Sequence, residues 1–143
     1  METDIELRLS FEGDALKVTA ANTGMREVRL WSRDNSWGWG MLSLRVAAPG
    51  SDRWVELTAK PVRWTGNLPR AVTIPAGGAT DFLLRPGDPV WEGADLAALA
   101  GGPLQVRVRL HADNSPEAQA QGVFTGDLLS PAIVSQPPHR WLG

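Results

Sequence analysis

Apolar and polar residues alternate along much of this chain, so that every second side chain is apolar. The first such run begins at Ile5 and continues to Phe11, with mostly polar residues at the positions between. A period of two predicts a half-buried β-strand, because successive side chains of a strand point to opposite faces of its sheet. The most regular run, Leu104 to Leu110, has Arg107 and Arg109 on its other face. We expect this run to be a central strand with its apolar side chains buried.

Short turns separate the predicted strands. Glu12 to Asp14 forms the turn of a hairpin whose second strand runs from Leu16 to Ala20. Asn22-Thr23-Gly24 then interrupts the pattern, and Gly24 is free to adopt a positive φ. The other predicted strands are Val28 to Trp31, Leu42 to Val46, Trp54 to Ala59, a strand that begins with Val72 and Ile74, and Thr80 to Leu84.

A helix is predicted at one place only. Asp95 can cap a helix from Leu96 to Ala100, which Gly101 ends. A helix this short cannot connect parallel strands, whose crossovers take about a dozen residues or more, so we expect mainly antiparallel sheets. Short strands, with fifteen Gly and eleven Pro to form the turns, predict a single all-β domain over residues 1–143, built as a β-sandwich.

The least regular part of the sequence runs from Ala112 to Gln121. It has no apolar period, which indicates a surface loop. Ser115 followed by Pro116 is typical of a capped turn, because Ser accepts hydrogen bonds from exposed N–H groups and Pro is favoured at the first helical position.

Two turns carry a resemblance to a known family. Asn22-Thr23-Gly24 lies between strands, and Ile74-Pro75-Ala76-Gly77-Gly78 leads into the extended segment 81–84. In this order they resemble the small bacterial immunoglobulin-like sandwiches, including the intracellular proteinase inhibitor type. The resemblance implies an antiparallel immunoglobulin-like β-sandwich, here of about seven to eight strands with one short helix, and no catalytic function. It carries no residue of an inhibitory loop, so protease inhibition is not part of this prediction.

Charge and cysteine content exclude several classes of function. Fourteen Lys and Arg stand against sixteen Asp and Glu, a net charge of −2, and no basic face for nucleic acid is visible. The chain has no Cys, which excludes disulfides and thiolate chemistry. The first residues include Glu2, Asp4 and Glu6, unlike a secretory signal, and every apolar run is interrupted. We therefore expect a cytoplasmic protein that binds neither nucleic acid nor membranes.

Candidate catalytic and metal-binding residues are few. His111 lies on the outer face of the most regular strand and His139 in a Pro-rich segment, and we expect both to be surface imidazoles. Asp88, Glu92 and Asp95 are close in sequence but lack the spacing of a calcium loop. The Gly-x-Ser-x-Gly motif and a phosphate-binding loop are absent. We expect no enzymatic activity, no cofactor and no metal; a glycosidase with distant carboxylates is the least favoured alternative.

Tryptophan is the most unusual residue in the composition. There are seven Trp, no Tyr and three Phe, and five of the Trp lie within residues 31–64. A large ring with an N–H group suits either stacking on a sugar or anchoring a protein partner. The structural alternative is that Trp37 and Trp39 fill one end of the sandwich, with Gly38 and Gly40 letting the backbone pass closely over them.

A contact surface is predicted around these rings. If Val28 and Leu30 face the core, the residues that alternate with them lie on the outer face, and two Trp that are two residues apart in an extended chain point to the same side. We expect a non-catalytic domain whose Trp-rich loop binds another protein or a second copy of the chain. The alternative is a carbohydrate-binding module that uses Trp31, Trp37 and Trp39, with Trp54 or Trp64 as further rings and Asp34, Asn35 and Asn67 as polar groups. The predicted partner-binding residues are Arg29, Trp31, Arg33, Asn35, Trp37 and Trp39.

Overall fold

A computed structural model of the chain describes residues 4–99 and 101–143. Within them the fold is all-β and mainly antiparallel, as predicted. The strands are β1 (Ile5–Glu12), β2 (Ala15–Asn22), β3 (Val28–Trp31), β4 (Leu42–Ala47), β5 (Val55–Ala59), β6 (Ala71–Ile74), β7 (Ala79–Leu84), β8 (Trp91–Glu92), β9 (Leu104–Ala112), β10 (Gly126–Leu129) and β11 (Ile133–Ser135). The helices are α1 (Ser36–Trp39), α2 (Leu96–Leu99) and α3 (Pro116–Gln121), and a 3-10 turn follows at Arg140–Leu142.

The described residues contain more elements than the sequence predicts. They form eleven strands and three α-helices, against the predicted seven to eight strands and one helix. The additional elements include β8 with two residues, β11 with three and α1 with four. Alternation cannot be recognised over so few residues, and a single helical turn has no helical period.

The strands are arranged in three antiparallel sheets. One has the order β1–β2–β7, the second has the order β10–β9–β4–β5–β8 with β11 also paired to β9, and the third consists of β3 and β6. As predicted, β9 is the central strand, since it pairs with β4 on one edge and with β10 and β11 on the other. Its four alternate apolar side chains are buried: Leu104, Val106, Val108 and Leu110.

The buried side chain of Asn22 connects the β1–β2–β7 sheet to the β3–β6 sheet. Its Nδ2 donates to Ile74 O (3.1 Å), and its Oδ1 accepts from Gly24 N (3.0 Å). The prediction of a positive φ at Gly24 is wrong: positive values occur instead in other turns of the same sheet, at Gly13 (57°) and Gly77 (75°). Gly24 is needed instead for a close approach, because a Cβ there would lie 2.4 Å from the side chain of Asp4.

The predicted caps are confirmed, but residues 112–121, predicted as a surface loop, contain the helix α3. Ser115 Oγ accepts from Ala118 N (3.1 Å), and Pro116 is the first residue of α3, which is six residues long. Asp95 Oδ1 accepts from two N–H groups of α2. The predicted end of that helix, Ala100, lies outside the described residues. No helix in the described ranges is long and apolar enough to cross a membrane.

Candidate functional site

The Trp-rich loop is organised by Asn35, which caps α1. Its Oδ1 accepts from Gly38 N (3.0 Å), while its Nδ2 donates to Ser32 O (3.2 Å) and Arg70 O (3.1 Å). The residue has 0 % exposure. The prediction of Asn35 as a contact residue is wrong, because its side chain has no exposed surface. Asn35 stabilises the turn, and only its neighbours can contact a partner.

The two glycines of the loop differ in what surrounds them. A Cβ on Gly38 would lie 1.8 Å from Ser32 O and 2.9 Å from Trp31 Cβ, so the backbone passes there at a distance that only Gly permits. Around a Cβ on Gly40, the part of the chain that the structure describes places no atom within 4 Å. The close approach expected for both glycines therefore occurs at Gly38.

Trp37 and Trp39 point to different sides of α1. Each helical residue turns the chain by about 100°, so residues two apart are separated by roughly 200°, whereas in a strand they share a face. The expectation that both rings project to one side is wrong because the segment is a helical turn. The Trp37 ring lies 6.0 Å from the Trp31 ring, and the Trp39 ring lies 6.1 Å from the Trp64 ring at 76°.

The alternation of β3 predicts Trp31 on the outer face of the sheet, and this prediction is wrong. Trp31 is 2 % exposed and its neighbour Leu30 is 1 % exposed. β3 ends at Trp31, where the chain leaves the sheet and turns into α1, so strict alternation no longer applies. The Trp37 ring packs against the Trp31 ring, with the two ring planes inclined at 33°.

Arg29 lies apart from α1. Its Nη1 donates to Gln121 O (2.5 Å), at the last residue of α3, and its Nε is enclosed without a partner among the described residues. It lines a cavity with Phe124 and Val123 that contains none of the Trp rings. Arg29 therefore joins β3 to the end of α3, and the predicted surface does not extend continuously to it.

On one side of α1 lies a cavity of about 450 Å³, which we call the Trp37 cleft. It is lined by Trp37, Met41, His111, Asp113 and Ser115, together with other residues of α1 and β9. The aromatic and apolar side chains are thus combined with hydroxyl, carboxylate and imidazole groups.

The imidazole at this cleft is held between two carboxylates. His111 Nε2 lies 2.7 Å from Asp113 Oδ1, and His111 Nδ1 lies 2.9 Å from Asp127 Oδ1. These hydrogen bonds raise the pKa of His111, because both favour the imidazolium, and the bond to Asp113 contributes most. The bond to His111, assisted by Arg109, lowers the pKa of Asp127. The prediction of a surface imidazole is confirmed for His111, whose side chain is 42 % exposed.

On the other side of α1 lies a cavity of about 590 Å³, which we call the Trp39 groove. The lining includes Arg33, Trp39, Val62, Trp64 and residues 80–83 of β7. The guanidinium carbon of Arg33 lies 5.0 Å from the centre of the Trp39 ring, and its Nη1 donates to Leu83 O (3.4 Å). Burial lowers the pKa of Arg33, while the negative charge of Asp88 opposes this shift.

One wall of the Trp39 groove is formed by Val62 and Trp64, which belong to residues 60–70, the 60–70 segment, a stretch without regular secondary structure. Trp39 Nε1 donates to Lys60 O (2.9 Å), and Asn67 exchanges two hydrogen bonds with Ser36 at the start of α1. The sequence offers Trp64 and Asn67 only as residues of the sugar-binding alternative. It does not show that the segment borders α1, because nothing local indicates that a loop 31 positions away in sequence from Ser36 binds to it.

His139 is buried, contrary to the prediction of a surface imidazole. His139 Nε2 lies 2.7 Å from Gly102 O, which can only accept, so Nε2 carries a proton and Nδ1 accepts from the Ser135 hydroxyl (2.7 Å). Trp141 Nε1 donates to the same hydroxyl (2.9 Å). Although a Ser–His pair can form a catalytic nucleophile, Ser135 is only 3 % exposed. The arrangement fastens the residues after β11 to the loop before β9.

The remaining Trp lie away from α1. Trp54 packs against Arg107, whose guanidinium carbon is 5.6 Å from the ring centre. Trp91 and Trp141 are buried. Of the Trp considered for sugar binding, Trp54 lines neither the Trp37 cleft nor the Trp39 groove.

The sequence was compared with models of protein families and with curated proteins. It matches no family model and no curated protein.

Proposed function

We propose that this chain is a non-catalytic binding domain that recognises other proteins through the Trp39 groove. The observation that carries the proposal is the way the Trp39 ring is held. Arg33 stacks on it, Trp64 contacts it edge-on, and its Nε1 is bonded to Lys60 O. A ring that is already fixed loses little conformational freedom on binding, and Trp and Arg are the residues that dominate interface hot spots.

The surroundings of the ring also favour a protein partner. Val62 is 42 % exposed at the groove, and Leu68, in the same segment, is 72 % exposed. Apolar side chains exposed next to a fixed aromatic pair are typical of the centre of a protein interface. The predicted contact residues Arg33 and Trp39 belong to this surface, whereas Trp31 and Asn35 support it from below.

The proposal includes the immunoglobulin-like sandwich that the resemblance implies. Two antiparallel sheets that each bury one set of side chains support it: residues of β2 and β9 are buried along their whole length on at least one face. A cytoplasmic location, and binding without cofactor or metal, belong to the same proposal.

A photo-crosslinking experiment tests this function. Val62 is replaced by a benzophenone amino acid and the protein is irradiated inside cells that make it. The matched position is Val134 on β11, which is 53 % exposed but lies outside the groove. We expect discrete protein adducts from position 62, their loss with an added Trp64→Ala, and none from position 134. Equal adducts at both positions, or none at position 62, would contradict the proposal.

A second candidate function is carbohydrate binding at the Trp37 cleft. The specific observation is a Trp ring that packs against Trp31 and lines a cavity of about 450 Å³ together with Ser36, Asp113 and Ser115. Sugar sites combine such a ring with polar groups that fix the orientation of the hydroxyls. Retention on a glycan array that Trp37→Phe preserves, Trp37→Ala abolishes and Trp39→Ala leaves intact would favour this function over the first.

A further inference from the structure

We propose that the partner contributes an extended segment that pairs as an additional strand with the edge of β7. This inference rests on the proposed function, because it uses the Trp39 groove as the binding site. It names the conformation of what enters that groove.

The direction of the β7 backbone follows from its register with β2. Asn22 donates its backbone N–H to Gly78 O (2.9 Å), so its backbone points towards β7. Every second residue of β2 shares this direction, and Val18 among them is in register with Phe82. The even-numbered residues of β7 are therefore the ones that bond to β2.

The backbone N–H and C=O groups of the odd-numbered residues of β7 point away from β2, into the groove. The backbone N–H groups of Asp81 and Leu83 have no hydrogen-bond partner among the described residues. The carbonyl of Leu83 accepts from Arg33, which agrees with this direction. An edge with unpaired N–H and C=O groups is a template for another strand, and the added strand gains main-chain hydrogen bonds with little dependence on sequence.

The length of the free edge limits the segment. At one end the turn at 75–78 closes with Gly78 N bonded to Pro75 O, and at the other Arg85 and Asp88 bond to each other. Residues 79–83 remain between them, which corresponds to about 17 Å of extended chain. An incoming segment of about five residues fills this edge.

The charged side chains that line the groove do not select the charge of the segment. They are Arg33, Asp34 and Asp81. Asp34 is paired with Arg70 (3.2 Å), and the carboxylate of Asp81 accepts from the Thr19 hydroxyl (2.6 Å). The pairing therefore rests on the main-chain groups of β7 and on the fixed aromatic rings of the groove.

A selection from displayed random peptides of about twelve residues provides the probe. The protein is immobilised, and binders are counted only if Trp64→Ala loses them and Trp54→Ala, which removes a partly buried Trp outside the groove, retains them. We expect this selection to return peptides that depend on Trp64 and not on Trp54.

Backbone methylation of the selected peptides then tests the strand pairing. N-methylation at alternate residues removes the N–H groups on one side of an extended peptide. We expect one of the two alternate sets to weaken binding about tenfold or more and the other to have little effect. Equal effects of both sets would overturn strand addition while leaving the peptide-binding function intact. If no peptide depends on Trp64, the proposed function fails as well.

A variant of β7 checks the same hydrogen bonds from the protein side. Leu83→Pro removes one outward N–H, and edge strands tolerate Pro at such positions. Leu83→Ala shortens the same side chain but retains the N–H. We expect weaker peptide binding for Leu83→Pro than for Leu83→Ala at similar melting temperatures. If Leu83→Pro does not fold, the methylated peptides decide. Dimers of the free protein that the peptides cannot dissociate would show that a second copy occupies the edge, and would overturn the proposal.

Discussion

Trp37 and Trp39 stand two residues apart on one helical turn, yet they contact different parts of the molecule. Trp37 rests on Trp31, which belongs to the core, whereas Trp39 rests on Arg33 and Trp64, which line the surface. The same residue type thus covers the core on one side of α1 and presents a fixed ring to solvent on the other. The difference shows that a cluster of Trp in sequence need not be one surface, because the local conformation decides which rings lie together.

The largest expected effect comes from removing the turn that separates the two rings. In Gly38→Ala the new Cβ would overlap Ser32 O, so α1 must move away from β3. We expect the free energy of unfolding to fall by about 3 kcal/mol, the upper range for overpacking. Gly40→Ala, with open space around its Cβ, should change it by less than about 0.5 kcal/mol. Urea denaturation of both variants makes the comparison, and similar losses would mean that Gly38 is not packed as described.

A smaller loss is expected when the cap of the turn is removed. Asn35→Ala deletes the acceptor for Gly38 N and the donor to two carbonyl groups in a buried place. We expect a loss of about 2 kcal/mol. Asn35→Ser retains a cap oxygen and should recover part of it. If both variants are as stable as the wild type, the helical turn that separates Trp37 from Trp39 does not depend on Asn35.

The two rings themselves should respond differently to truncation. We expect Trp37→Ala to lower the free energy of unfolding by about 2 kcal/mol, because it uncovers Trp31. Trp39→Ala should cost about 1 kcal/mol, since its ring contacts partly exposed side chains, but should abolish crosslinking from position 62. Denaturation and crosslinking of both variants test this division. The reverse order of stability would assign the supporting role to Trp39.

The smallest expected effect is a pH dependence of stability that arises at the Trp37 cleft and not at the Trp39 groove. The pKa of His111 is raised in the folded protein, so its contribution to stability is fully present below about pH 6.5, the ordinary value, and is lost as the pH rises through the folded pKa. The wild type should therefore be more stable than His111→Gln at pH 5.5, by a margin that narrows towards pH 8.5. Crosslinking at the Trp39 groove should stay constant over this range. A margin that widens with pH would contradict the pairing of His111 with two carboxylates.

The long alternating strands could be predicted from sequence, since burial of one face determines both their period and their register. β1, β2 and β9 were predicted in this way, and so were the caps at Asp95 and Ser115, which use only neighbouring residues. These elements depend on local chemistry or on a period long enough to recognise.

The site could be predicted only in part, because distant residues determine its conformation. Asn35 was recognised as polar but not as a cap, since a four-residue helix has no period and Trp-Gly-Trp-Gly also fits an extended chain. The buried His139 is bonded to the carbonyl of Gly102, 37 positions earlier in the chain. The open edge of β7 follows from strand pairing, and no local pattern in the sequence of β7 distinguishes an edge strand from a central one.

The free edge of β7 also bears on how the protein behaves at high concentration. Strand edges of this kind promote aggregation when two copies pair through them, and natural sheets often place a charge there. Asp81 stands in the middle of the free residues 79–83 and is exposed. In a two-fold antiparallel pairing centred on this residue, the two carboxylates would stand directly opposite each other, which is unfavourable. One carboxylate thus hinders self-pairing of the edge, and Asp81→Val should lower the concentration at which the protein begins to aggregate.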